Sequence, residues 1–201
     1  MRTFIAIEIP LALKNQLRIE QNRLRELPAL RGLPYVLRWT NPDNLHLTLR
    51  FLGETDANQR QQLEEGLEKI AARHGPFPLA PSRLGCFNSW KNLRVLWLGI
   101  GGESEALHAV QSEVELLARQ VGFTPERKRF SPHITFARAA RNAQRSDLRA
   151  ASEQLRRAAA QEFHQSWIEW RVDELHLIRS VLGRGGAAYF NLATSSLAAD
   201  A

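Results

Sequence analysis

Leu45-His46-Leu47-Thr48-Leu49-Arg50-Phe51-Leu52 alternates apolar and polar residues, and Pro132-His133-Ile134-Thr135-Phe136 repeats its His-apolar-Thr-apolar order far downstream. Alternation with period two marks a strand with one buried face. Residues i and i+2 of a strand share a face. His46, Thr48 and Arg50 are therefore expected to point one way, and Leu45, Leu47, Leu49 and Phe51 the other way, into a core. His133 and Thr135 form a matching pair, backed by Ile134 and Phe136. With six His in 201 residues, chance would place Thr two positions after two of them about one time in fifty. If the two strands are neighbours, or related by a pseudo-twofold, two imidazoles and two hydroxyls converge on one cleft.

Outward from these strands, the pattern is mixed. Thr3–Ile9 is apolar and β-branched and ends at Pro10, which predicts a strand. Leu11–Leu27 predicts a surface helix, stopped by Pro28 and Gly32. Asp56–His74 has helical spacing and is ended by Gly75-Pro76. Phe77–Phe87 and Arg94–Ile100 predict a strand pair joined by a turn at residues 88–92. Leu107, Val110, Val114, Leu117 and Val121 predict a helix capped by Gly122. Ser146–Gln161 predicts a helix with Ser146 as N-cap. Trp167–Val172, Glu174–Val181 and Ala188–Ala193 predict three late strands, the last two joined by a turn at 183–186. Strands and helices do not alternate strictly, which favours an α+β fold.

Composition narrows the function classes. Hydrophobic residues make up 44% and charged residues 24%, which excludes a disordered or collagen-like chain. No apolar run approaches the roughly 20 residues of a membrane-spanning helix, and Glu8 interrupts the apolar N-terminus, against a secretory signal. Cys86 has no partner for a disulfide or a cysteine metal site, and a cytoplasmic location is expected. The formal net charge is +6, with 27 basic residues, all but Lys14, Lys69, Lys91 and Lys128 being Arg. The Arg fork matches phosphate geometry, so an anionic partner such as RNA is expected.

Two His and two hydroxyls without an adjoining carboxylate suit phosphodiester chemistry. A neutral His takes a proton from the attacking oxygen and a protonated His gives one to the leaving oxygen. Hydroxyls and a guanidinium hold the phosphoryl oxygens as charge builds. An unperturbed imidazole pKa near 6.5 lets both forms exist. A zinc reading would need three or four ligands, and no His-x-x-x-His or acidic cluster adjoins either motif, so neither a metal nor a cofactor is expected. His74, His108, His164 and His176 lack the duplicated context and are read as structural.

The stretches His46–Gly53 and Ser131–Arg138 resemble the paired signatures of the two-histidine phosphoesterase superfamily, most of all its RNA 2′,3′-cyclic phosphodiesterase (2′-5′ RNA ligase) branch. Arg2–Ile7, Trp39–Leu45, Arg94–Gly99 and Glu174–Ser180 are similar to that family's flanking segments. The resemblance implies one domain over residues 1–201, made of two intertwined, pseudo-twofold-related lobes. Two antiparallel β-sheets would face a central cleft with helices packed outside. It implies hydrolysis, without metal or nucleotide, of a 2′,3′-cyclic phosphate RNA end to a 2′-phosphate, with reverse 2′-5′ ligation as a secondary activity. His46 and His133 would be the acid–base pair, with His133 the base and His46 the acid. Thr48 and Thr135 would bind phosphate oxygens, and Arg138 matches the family's arginine after the second motif. Simple alternation sends Arg138 to the wrong face, so the strand must bulge or end near Ala137. The expected partner is RNA with a cyclic phosphate end, tRNA fragments among the candidates, or a cyclic nucleotide, acted on by a monomer without membrane attachment.

A rival reading is a non-catalytic RNA-binding module using the same cleft, with Trp39, Trp90, Phe87 and Phe130 stacking on bases and Arg50 as a further RNA contact. Cys86, among Leu84, Gly85 and Phe87, is expected to pack rather than react.

Overall fold

The computed structural model describes residues 1–160, 167–183 and 186–198. In chain order the elements are β1 (Arg2–Glu8), α1 (Leu11–Arg25), α2 (Pro28–Gly32), β2 (Leu37–Trp39), β3 (His46–Glu54), α3 (Ala57–Ala71), β4 (Phe77–Ser89), β5 (Asn92–Gly102), α4 (Ser104–Gln120), β6 (His133–Ala139), α5 (Arg145–Ala160), β7 (Trp170–Val172), β8 (Glu174–Gly183) and β9 (Gly186–Ser196). A 3₁₀ turn at Pro42–Asn44 leads into β3. The α+β expectation therefore holds. The short α2 and β2 fall where the sequence offered only breakers, and Gln161, His164 and the 184–185 turn lie outside the described residues.

Among the described residues the strands join one antiparallel sheet in the order β7-β4-β5-β6-β3-β1-β8-β9, with β2 beside β6. The two expected sheets are thus two arms of one sheet. They meet between β3 and β6, where a single ladder pair, Leu47 with Ile134, joins them.

One face of the sheet is covered by helices. Ile5, Ile7, Leu47, Leu49, Leu96, Leu98, Ile134 and Phe136 pack there against α1 (Leu13, Leu17), α3 (Leu63, Leu67), α4 (Val110, Val114) and α5 (Ala151, Leu155) in one core. Burying each large aliphatic chain is worth about 1.5–3 kcal/mol. The opposite, open face carries a small cluster of Phe4, Ala6 and Ile178 under Tyr189. β1 is consequently apolar on both sides, as its near-continuous apolar sequence requires.

Local chemistry sets the helix ends. Asp56 caps α3, accepting from Gln59 N at 2.8 Å, while Gln59 reaches back to Asp56 N. Gly122 closes α4 at φ 98°, and Phe123 N bonds Ala118 O across the turn, the left-handed ending that glycine favours. Ser146 lies inside α5 rather than capping it, and its hydroxyl donates to Asp147.

Candidate active site

β3 and β6 supply the site. The antiparallel register about Leu47 and Ile134 sets His46 across from Thr135 and Thr48 across from His133, all on the open face. Each imidazole is held in the same way. His46 Nδ1 donates to Asn44 O at 2.8 Å, and His133 Nδ1 donates to Ser131 O at 2.7 Å. A carbonyl only accepts, so both rings carry the proton on Nδ1 and leave Nε2 to exchange protons. The Thr48 and Thr135 hydroxyls have no hydrogen-bond partner among the described residues.

Bulges decide which arginine joins them. Along β6 the pairing with β5 shifts, so that Trp97 faces Thr135 and Leu96 faces Ala137. Phe136 is the extra residue, Phe136 and Ala137 are both buried, and Arg138 swings back to the face of His133 and Thr135. The freed Phe136 carbonyl accepts from Thr40 N at 2.8 Å and from the buried Gln21 Nε2 at 3.1 Å. Arg138 has no ion-pair partner among the described residues. It lines, with Thr48, Phe87, Phe130 and His133, a cavity of about 710 Å³.

The same device works in reverse on β3. Leu49 is the extra residue there, so Arg50 turns to the helix-covered face and Phe51 to the open one. Arg50 is 8% exposed, pairs with Glu115 at 2.6 Å and donates to the carbonyls of Phe51 and Thr124. Arg50 and Glu115 both line the cavity, so Arg50 reaches its wall with its charge already paired to α4.

The aromatics divide likewise. Phe87 meets the His133 ring edge-on at 4.7 Å, and Trp97 lies 6.3 Å from it. Trp97 lies across Gly85, where a Cβ would fall 2.3 Å from the indole. Phe130 stands edge-on to His108 at the cavity wall. Trp39 and Trp90 do not line the cavity. Trp39 carries Arg25 over its ring at 5.1 Å and packs toward the core, and Trp90 accepts Ser152 Oγ at its carbonyl, beside α5. Neither is placed to stack a base beside the histidines.

Tyr189 of β9 is a cleft residue that the sequence did not single out. Its ring lies edge-on to His46 at 5.2 Å, with Phe4 at 4.8 Å on that imidazole. It reaches His46 through three strand registers, which no local pattern encodes. A small cavity of about 120 Å³, lined by Glu8, Lys14, Asn44 and Asn191, adjoins this side of His46. His176, also on β8's open-face side, is 5% exposed and lies within reach of Thr194 Oγ1, a satisfied structural histidine.

Burial pushes His46 down to about 4; Lys14 and His133 push the same way, while the Asn44 carbonyl bond and Glu8 oppose. Burial also lowers His133, helped by Arg138 and opposed by the Ser131 carbonyl. Both rings therefore favour the neutral form near pH 7. Burial raises the Tyr189 phenol, against the charge of Arg138. Among the described residues no three His, Cys, Asp or Glu side chains gather as metal ligands, and no helix is long and apolar enough to cross a membrane.

A curled antiparallel sheet with a His-x-Thr strand in each arm is the architecture of the two-histidine phosphoesterases. Solved structures share it. A Thermus thermophilus protein superposes with a TM-score of 0.74 at 24% identity, over the whole of both chains. Escherichia coli LigT, solved with 3′-AMP, gives 0.72 at 25% identity, over 98% of this chain and 97% of that one. The family model of the 2′-5′ RNA ligase superfamily matches residues 13–184, and this chain belongs to that superfamily. The RNA 2′,3′-cyclic phosphodiesterase of Aeropyrum pernix is 34% identical over 172 residues, 85% of this chain and 90% of the relative. The protein of that name from Aquifex aeolicus is 31% identical, over 76% of this chain and 77% of the relative.

Proposed function

We propose that the protein hydrolyses 2′,3′-cyclic phosphate ends of RNA to 2′-phosphates, with His46 and His133 as acid and base. The observation that carries this reading is the matched pair of imidazoles, each tied back through Nδ1 to the carbonyl two residues earlier. A water attacks phosphorus and gives its proton to one Nε2. The bond from phosphorus to O3′ breaks, and O3′ takes a proton from the other Nε2. Thr48, Thr135 and Arg138 hold the phosphoryl oxygens as negative charge grows. The phosphate anion, seated between two neutral rings, supplies the charge that lets one of them hold a proton.

We assign the base to His133 and the acid to His46. Burial and Lys14 make a proton on His46 costly in the free protein, so the acid role rests on the charge that the bound phosphate brings to that ring. The reverse reaction, 2′-5′ joining, would use the same groups. The relatives' names and the unpartnered hydroxyls favour catalysis over RNA binding alone.

The test is incubation of an RNA ending in a 2′,3′-cyclic phosphate in EDTA, with the product identified. A 2′-phosphate is expected, at an undiminished rate. Activity that vanishes on chelation and returns with zinc or manganese would overturn the reading. A phosphodiester with a nitrophenolate leaving group, which needs no acid, should restore His46→Ala more than His133→Ala.

A further inference from the structure

We infer that Arg38 and Arg94 form a second phosphate subsite, for the internucleotide phosphate preceding the cyclic end, so that the preferred substrate is an RNA strand. This rests on the function proposed above. The ladder pairs Arg38 of β2 directly with Arg138 of β6, and Arg138 with Val95 of β5. Paired residues on antiparallel strands project from the same face. Arg38 therefore stands on the open face beside Arg138, while its neighbours Leu37 and Trp39 pack toward the core. On the other flank a register shift after Phe87 leaves Arg94 as an extra residue between Leu93 and Val95, and Arg94 lines the cavity with Arg138 and His133. Three guanidiniums thus lie across three neighbouring strands.

Among the described residues none of the three has an ion-pair or hydrogen-bond partner. Like charges directly across a ladder destabilise it, and the Arg38–Arg138 pair carries that cost with no carboxylate between them. Arg50, which lines the same cavity, is by contrast neutralised by Glu115. An anion bridging the stripe removes the repulsion. Arg138 is already assigned to the reacting phosphate, which leaves Arg38 and Arg94 for the next one. The cavity of about 710 Å³ falls in the usual range for sites holding ligands larger than one phosphate group, about 300–1,000 Å³.

The experiment compares uridine 2′,3′-cyclic phosphate with a uridine hexamer ending in the same group, using wild type, Arg38→Gln and Arg94→Gln. Wild type should prefer the hexamer. Each variant should lose about tenfold in kcat/KM on the hexamer, the value of one charge-assisted hydrogen bond, and spare the monomer. The salt slope on the hexamer should fall by about 0.7 per lost contact. Arg38→Lys should restore part of the hexamer rate, and the melting temperature of Arg38→Gln should not fall, since the substitution relieves a repulsion. Equal losses on both substrates, or no hexamer preference in wild type, would overturn the subsite. If wild type opens neither substrate, the proposed function itself fails, so the two failures are distinguishable.

Discussion

His46 and His133 each lean on a carbonyl two residues earlier, and that small restraint defines which nitrogen does chemistry. Alanine at either should cost about 10² to 10⁴ in rate, the usual worth of one positioned proton transfer. The double variant should lose little more than the worse single one, because the rings act as a unit. The rate should trace a bell against pH, whose limbs belong to the coupled pair rather than to either ring. His46 also leaves a mark on stability. Its folded value of about 4 lies below the roughly 6.5 of an unfolded histidine. As pH falls through that window the unfolded chain takes up the proton first, so the native state loses stability. The melting temperature should drop between pH 6.5 and 4, and less steeply for His46→Asn; parallel curves would contradict the burial of that ring. Cys86 faces the core side from β4 and burial raises its thiol. Cys86→Ala should keep full activity in the same assay.

At the scale of elements, bulges do what alternation alone cannot. The sequence carries one trace of this: Phe136-Ala137 puts two apolar residues in succession, which breaks the period just before Arg138. Leu49-Arg50 leaves no such trace, because the burial of Arg50 depends on Glu115, a residue of α4 distant in sequence. That is why the sequence shows Arg50 near the cleft, whose wall it lines, but not that its charge is already paired. Arg50→Met should cost about 1.5–3 kcal/mol, the worth of a hydrogen bond to a charged group, since Glu115 keeps Arg119 at 2.8 Å and the Glu126 N–H; denaturant melts would show it, with the salt dependence of RNA cleavage unchanged. Gln21 gives the complementary case. It donates to the bulged Phe136 carbonyl from α1, so Gln21→Leu should lower stability by about 1–3 kcal/mol and weaken the hold on Arg138. In a cycle with Arg138→Ala the two losses in kcat/KM should be less than additive; strict additivity would show that Gln21 does not act through Arg138. The short β2 was illegible because three residues offer no period, and its partner, the end of β6, lies far along the chain.

For the whole molecule, periodicity revealed the long helices, most strands and the α+β class, since those signals are local. The two His-x-Thr strands revealed the candidate site, because each anchors its polar pair with its own apolar face. The merging of the arms into one sheet, the place of Tyr189 and the arginine stripe all depend on register between distant strands, and no local signal encodes register. The sheet order has a consequence for synthesis. β1 is made first, yet its final place is between β3 and β8, with Phe4 facing Ile178. Until β8 emerges, β1 presents an unpaired edge flanked by Phe4, Ile5, Ala6 and Ile7, all buried in the finished fold. An apolar edge of that kind recruits other chains. A nascent chain stalled before Glu174 should therefore be a poor folder and a chaperone client, and adding the β8–β9 hairpin in trans should suppress its aggregation. The arm built from β4, β5 and β6 waits only for the three-residue edge strand β7, so the ribosome delivers most of one half of the cleft early and the other half only at the end.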